Sequence, residues 1–201
     1  MKFIFGVLGV ILVVIFAIVL IARGGGGGNK PKPLSVSDQN REGTSAQITT
    51  QGKLVGEEER RAIRIVVTQN ERRLEILNGY EEAVDRTQVY PNTPSAYENF
   101  LIAIDKAGIE KKRETKQTDE RGACPMGNTY IYQVRDFSQD LVRAWGASCG
   151  TKVGTFAGKG DVIRKLFQEQ IPDYTTQIKD VDLTGSKKPK TTANATTVPV
   201  R

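Results

Sequence analysis

Residues 61–90 read RAIRIVVTQNERRLEILNGYEEAVDRTQVY, and their apolar pattern decides the fold class. Ile63, Ile65 and Val67 alternate with Ala62, Arg64 and Val66. That is close to a period of two, which places one side of an extended segment in a core. Gln69-Asn70-Glu71 forms a turn, after which Leu74 and Ile76 resume the alternation. Asn78-Gly79 follows, the dipeptide suited to a type I′ hairpin, where both central residues need positive φ. Residues 80–90 then supply a third strand. The stretch therefore predicts a three-stranded antiparallel meander.

Outward from the meander the pattern changes to that of a helix. Thr93 can cap free N–H groups, and Pro94 suits the first turn, where a missing N–H costs nothing. Tyr97, Phe100, Leu101 and Ile104 fall at i, i+3, i+4 and i+7 on one face, and Gly108 suits the residue that ends a helix. Residues 110–122 are charged and turn-like. Residues 129–134 (TYIYQV) predict a strand, and residues 140–148, which hold the single tryptophan Trp145, predict its partner. Asp161 can cap a second helix with Val162, Ile163, Leu166 and Phe167 as its apolar face, stopped by Pro172. Residues 175–181 read as an edge strand. Toward the N-terminus, a short strand is expected near residues 47–50 within an otherwise irregular polar stretch. The fold class is α+β, with an antiparallel sheet in the order β-β-β-α-β-β-α-β and two packed helices.

Residues 3–21, FIFGVLGVILVVIFAIVLI, carry no charged or polar side chain. At about 1.5 Å per residue such a run reaches roughly the 30 Å of a hydrocarbon core. Leu20-Ile21-Ala22 makes a poor signal-peptidase site, so an uncleaved anchor is expected over residues 1–22. Residues 23–52 include five consecutive glycines and a Lys-Pro-Lys-Pro piece and read as a flexible linker. Residues 53–184 form the globular domain. Residues 185–201 are Lys, Pro, Thr and Asn without apolar period, and read as a disordered basic tail.

Net charge over the whole chain is +6, yet residues 53–184 hold 20 basic and 21 acidic side chains. The positive excess sits in the flanks, where anionic lipid or polymer could meet it. A nucleic-acid partner is not expected, since a binding domain would carry a basic face itself. Histidine is absent from the chain. That removes Ser-His-Asp and Cys-His catalysis and histidine-ligated zinc. No cofactor or metal is expected. Glu57-Glu58-Glu59 and Glu81-Glu82 are local acidic runs, and nothing places two acids across a cleft. Ser138 and Ser148 lack a lysine at a motif spacing. No catalytic residue is assigned.

Cys124 and Cys149 flank the predicted hairpin. Two thiols without histidine make a poor metal site, and they are not in a CxxC arrangement. The expectation is a disulfide, the form such a pair takes in an exported domain. Lys2 on one side of the apolar run and Arg23, Lys30, Lys32 and Arg41 on the other would by charge alone keep the domain inside. The cysteine pair argues for the outside. Residues 150–161 (GTKVGTFAGKGD) lie between a strand and a helix, as a phosphate-binding loop does. Gly154 and Gly158 are one residue too close for that motif, and Gly160 stands where its Ser or Thr belongs. Gly158, Lys159 and Gly160 are retained as a candidate anion-binding loop; the bland alternative is a flexible connection. Tyr130 and Tyr132 share a strand face with Val134, which favours core packing over a ligand platform.

The strings CPMGNTYIYQV, RAWGASCG and LFQEQIPDY together resemble single-pass membrane-anchored proteins of ultrasmall bacteria, a group without an assigned function. The resemblance spans about residues 60–180. It implies an anchored domain and transfers no functional residue. The sequence thus leads to a membrane-tethered extracytoplasmic binding or scaffolding domain of the cell envelope, with the bilayer as partner through residues 3–21 and an envelope polymer or surface protein as ligand. A carboxylate-based hydrolase of envelope polymer and a cytoplasm-facing anion-binding or nucleic-acid-binding domain are the alternatives.

Overall fold

A computed structural model describes residues 35–185. The apolar run, the glycine run and the tail beyond residue 185 lie outside the described residues. Six antiparallel strands make one sheet: β1 (Thr44–Gln51), β2 (Arg61–Val67), β3 (Glu71–Asn78), β4 (Ala83–Pro91), β5 (Thr129–Asp136) and β6 (Gln139–Ala147), in the spatial order β4-β3-β2-β1-β5-β6. Among the described residues three α-helices accompany it: α1 (Pro94–Lys106), α2 (Gly160–Gln168) and α3 (Tyr174–Gln177). The architecture is α+β, and no helix among the described residues is long and apolar enough to cross a membrane.

The meander forms as its alternation dictates. Ile63 pairs with Ile76 and Ile65 with Leu74, and all four side chains are buried. The Asn78-Gly79 turn differs from the two-residue expectation. Asn78 pairs with Ala83, so the loop holds four residues, with positive φ at Gly79 and Glu82. Asn78 keeps its place in the strand, and Glu57 accepts the Tyr80 N–H at 3.0 Å, holding the longer loop open.

The order of elements needs two corrections. First, β1 is a full eight-residue strand at the centre of the sheet, paired with both β2 and β5. Val36, inside the stretch read as linker, is buried with its N–H donated to Glu110 at 2.6 Å. Second, the edge strand expected over residues 175–181 is absent, and the short helix α3 stands there. Asp173 has φ 51°, and its carbonyl accepts the N–H groups of Thr176 and Gln177 at 2.8 and 3.1 Å. These local bonds satisfy the backbone, and Ile178 and Val181 pack against the core three residues apart. The observed order is β-β-β-β-α-β-β-α-α.

Helices α1 and α2 cover one sheet face. Tyr97, Phe100, Leu101 and Ile104 of α1 are all at most 4% exposed. Each is worth about 1.5–3 kcal/mol over exposure. The Thr93 hydroxyl accepts the Ala96 N–H, and Gly108 adopts φ 83° just past the helix. Phe100 meets Phe167 of α2 edge to face, ring centroids 5.0 Å apart. Helix α2 starts earlier than the Asp161 cap predicts. Lys159 occupies the cap position, where its carbonyl accepts the Ile163 N–H, and Asp161 lies exposed in the first turn. Val162, expected on the apolar face, is 46% exposed, whereas Ile163 and Phe167 are fully buried.

The other sheet face is polar across its middle. Gln47 donates to Gln133 at 2.6 Å, and Arg64 reaches Thr49 and pairs with Glu75 and Glu82. At one end it becomes apolar. Ala62, Leu77, Ile131 and Trp145 are buried there, and the Trp145 indole donates to the Thr118 carbonyl at 3.2 Å. Cys124 and Cys149 are disulfide-bonded, with Cα atoms 5.9 Å apart, inside the usual range for a bridge.

Candidate functional site

The β5–β6 hairpin, the loop after β6 and the first turn of α2 enclose a groove of about 680 Å³. Tyr130 and Gly146 are cross-strand partners on its floor. A Cβ at Gly146 would meet nothing nearer than the Val153 carbonyl oxygen at 3.8 Å, so the missing side chain leaves open space opposite Tyr130. Tyr132 lies deeper, stacked on Phe156 with centroids 4.2 Å apart. Burial pushes its phenol above the ordinary tyrosine range, opposed by a hydrogen bond from Arg164.

Three basic side chains and one carboxylate line the groove. The Arg164 guanidinium sits 4.2 Å over the Tyr130 ring, donates to the Tyr132 hydroxyl at 3.3 Å and pairs with Asp161. Arg113 arrives from the charged segment after α1. Its guanidinium binds only backbone carbonyls, those of Phe156 and Thr151, with Nε to Phe156 at 2.8 Å. This clamp works alongside backbone bonds from Arg113 to Thr155 at 2.7 Å and from Ala157 to Lys111 at 2.9 Å. Arg113 therefore brings a positive charge to the groove with no ion-pair partner among the described residues. The Lys159 side chain is exposed and has no ion-pair partner among the described residues.

Gly158, Lys159 and Gly160 all line this groove. Part of their backbone serves the fold. The Lys159 N–H donates to Ala107 at 2.9 Å, and Gly158 packs so closely on the Gly108 carbonyl that a Cβ would clash. What remains for an anion is the Lys159 ammonium, the Arg113 guanidinium and the open first turn of α2, whose leading N–H groups have no intrahelical acceptor. Tyr132 and Val134 are core residues, and Tyr130 carries Arg164 on its face. Cys149 lies at the groove's edge.

Arg113 and Arg164 escaped the sequence reading. Arg113 lies in a charged run that reads as solvated, and only its contact with residues 151–156 reveals a role. Arg164 sits beside the buried position of a short amphipathic helix, where a basic residue is ordinary. The acidic runs are placed by the fold: Glu57 serves the β3–β4 loop and Glu82 pairs with Arg64. Among the described residues no group of three or more Cys, Asp or Glu side chains converges as metal ligands would. Comparison with protein-family models, with curated proteins and with solved structures returns no match to this chain.

Proposed function

We propose that this chain is a membrane-tethered binding domain on the outer side of the cell envelope, and that its groove takes an anionic group of an envelope polymer or surface protein. The apolar run over residues 3–21 supplies the tether, and the glycines that follow it let the domain sample volume away from the bilayer. The Cys124–Cys149 bridge supports export, because such bridges persist in oxidising compartments. The observation that carries the ligand reading is Arg113 and Lys159, two cations on one groove with no carboxylate paired to either among the described residues. A half-buried cation without a counter-ion gains most from an anionic ligand.

Two measurements test this. On intact cells, an impermeant maleimide should label the cysteines only after treatment with an impermeant reductant; labelling that needs lysis and no reductant sinks the outer placement. On the purified full chain, binding of a soluble polyphosphate should weaken steeply with salt. Lys159→Gln should weaken it further, by several-fold. Binding indifferent to salt and to that substitution sinks the anion reading.

A further inference from the structure

The sheet has two edges, and the chain treats them differently. At β6 it covers its own edge. The Phe156 N–H donates to the Trp145 carbonyl at 2.8 Å, the Trp145 N–H donates to the Thr155 hydroxyl at 3.1 Å, and Gly150 bridges to Ala147. β4 ends the sheet on the other side. Its pairing with β3 fixes which of its backbone groups face outward. The Asn92 N–H donates to the Asn70 carbonyl at 2.9 Å, one step beyond the pairing of Glu71 with Pro91. Bonded pairs alternate along an antiparallel ladder. Tyr90 and Gln88 therefore turn their N–H and C=O groups to β3, and Val89 and Thr87 turn theirs away. The neighbouring ladder agrees. The Thr68 N–H donates to the Glu71 carbonyl at 2.9 Å, which assigns Glu71, Arg73 and Glu75 to β2 and leaves Arg72 and Leu74 for β4. Among the described residues no backbone hydrogen bond from outside the sheet reaches Thr87 or Val89.

An open edge is usually defended by lysine, proline or a bulge. In β4 these defences stand only at the ends. Asp85 is a bulge, unpaired between the pairing of Leu77 with Val84 and that of Ile76 with Arg86, and Pro91 closes the strand. Residues 86–90 between them read RTQVY, without lysine. The Arg86 guanidinium is drawn off to Asp180. Thr87 is exposed and Val89 is 54% exposed, and threonine, valine and tyrosine all favour strands. The span is complementary to itself. About a two-fold axis at Gln88, the Thr87 of each copy faces the Val89 of the other, and the two exchange both N–H···O=C bonds. Arg86 then faces Tyr90 and Asp85 faces Pro91, so no like charges are opposed. Net charge does not hold two copies apart either, since residues 53–184 carry 20 basic and 21 acidic side chains.

We infer that β4 is a docking edge for a second copy of this chain, which adds strand to strand, antiparallel, across residues 86–90 and joins two sheets into one. The edge lies at the far side of the sheet from the β5–β6 hairpin that floors the anionic groove. A span this short buries less than a standard interface of about 1,600 Å², so the pair forms in a concentration-dependent way. The tether proposed above would raise the effective concentration of copies held in one plane; the pairing itself does not depend on it.

Sedimentation and amide hydrogen exchange of the full chain in detergent, from micromolar to several hundred micromolar protein, test this. A dimer should form as concentration rises. The Thr87 and Val89 amides should exchange freely in the dilute protein and about ten-fold or more slowly in the concentrated one, whereas those of Gln88 and Tyr90 are protected in both. Thr87→Pro removes an outward N–H from each copy and no bond within the sheet, so dimerisation should weaken about ten-fold or more. Val89→Lys, an exposed substitution that defends the edge, should do the same. Three results would overturn the assignment: a monomer throughout the range, a dimer in which the Thr87 and Val89 amides still exchange freely, or a dimer indifferent to both substitutions. The exchange measurement uses the unaltered chain, so it stands even if the proline variant fails to fold.

Discussion

Gly146 on the floor of the groove and Gly154 in the loop beside it show how one residue type does opposite work. Gly154 adopts φ 95°, and a Cβ there would run into the Trp145 carbonyl. Gly154→Ala combines a backbone penalty of roughly 1–3 kcal/mol with displacement of a β6 carbonyl, so its chemical-denaturation midpoint should fall clearly. Gly146 has ordinary space around it. Gly146→Ala should leave stability unchanged or raise it by up to about 1 kcal/mol, since a strand glycine carries an entropic cost. The same methyl narrows the groove opposite Tyr130, so the variant should bind polyphosphate less tightly while melting no earlier. The two glycines look alike in the sequence, because neither a φ value nor a neighbouring carbonyl is visible there. Lys159 was legible from its Gly-Lys context, whereas Arg113 and Arg164 were not: their partnering depends on residues brought together only by the fold.

Helix α1, which announces itself by period and cap, formed as read, and the contributions that hold it can be measured singly. Thr93→Ala removes the hydroxyl that accepts the Ala96 N–H and should cost about 1 kcal/mol. Phe167→Ala opens a cavity against Phe100 and should cost about 3–5 kcal/mol; the difference between the two in denaturant midpoint checks that packing outweighs capping in holding α1. Two elements differ from their reading for a physical reason: β1, legible only as a short strand near residues 47–50, and the segment over residues 175–181. β1 is TSAQITTQ, and its core-facing positions Ala46, Ile48 and Thr50 carry little apolar contrast with Gln47 and Thr49 on the polar face. A central strand is held by ladders on both sides, so it tolerates that dilution. The segment after Pro172 has β-branched residues yet forms no strand: its backbone bonds locally, and Arg86 of β4 meets it through its side chain, at Asp180 and the Gln177 carbonyl. That hydrogen bond, the leading cause, holds the Asp180 carboxyl below its ordinary range. A lowered carboxylate pKa stabilises above about pH 4 and is lost as pH falls through the folded value. Backbone resonances of residues 174–181 should shift on acidification below that point, and Asp180→Asn should show the acid-form shifts already at neutral pH.

For the molecule as a whole, the absence of histidine sets the shape of its stability against pH. Between about pH 5.5 and 8.5 only the terminal amine has an ordinary pKa among the unperturbed groups, so the unfolding midpoint should be nearly flat there. The alkaline side differs. Burial raises the phenol pKa of Tyr97, Tyr132 and Tyr174, each opposed by a weaker hydrogen bond. The fold favours the protonated phenol, while the unfolded chain ionises near pH 10. The stabilisation is therefore complete below pH 10 and is lost as pH climbs toward the raised folded values, by up to about 1.4 kcal/mol per pH unit for each phenol. Trp145, the single tryptophan and 1% exposed, reports the transition by fluorescence. Guanidinium midpoints measured from pH 6 to 11 should hold level to about 9.5 and then drop. Tyr97→Phe should shallow that drop by one group's share, because its ring sits in the core between α1 and the sheet while its hydroxyl makes only a 3.5 Å contact with Thr44. A midpoint that falls between pH 6 and 8, or an alkaline limb unchanged in Tyr97→Phe, would show that other groups govern the pH response.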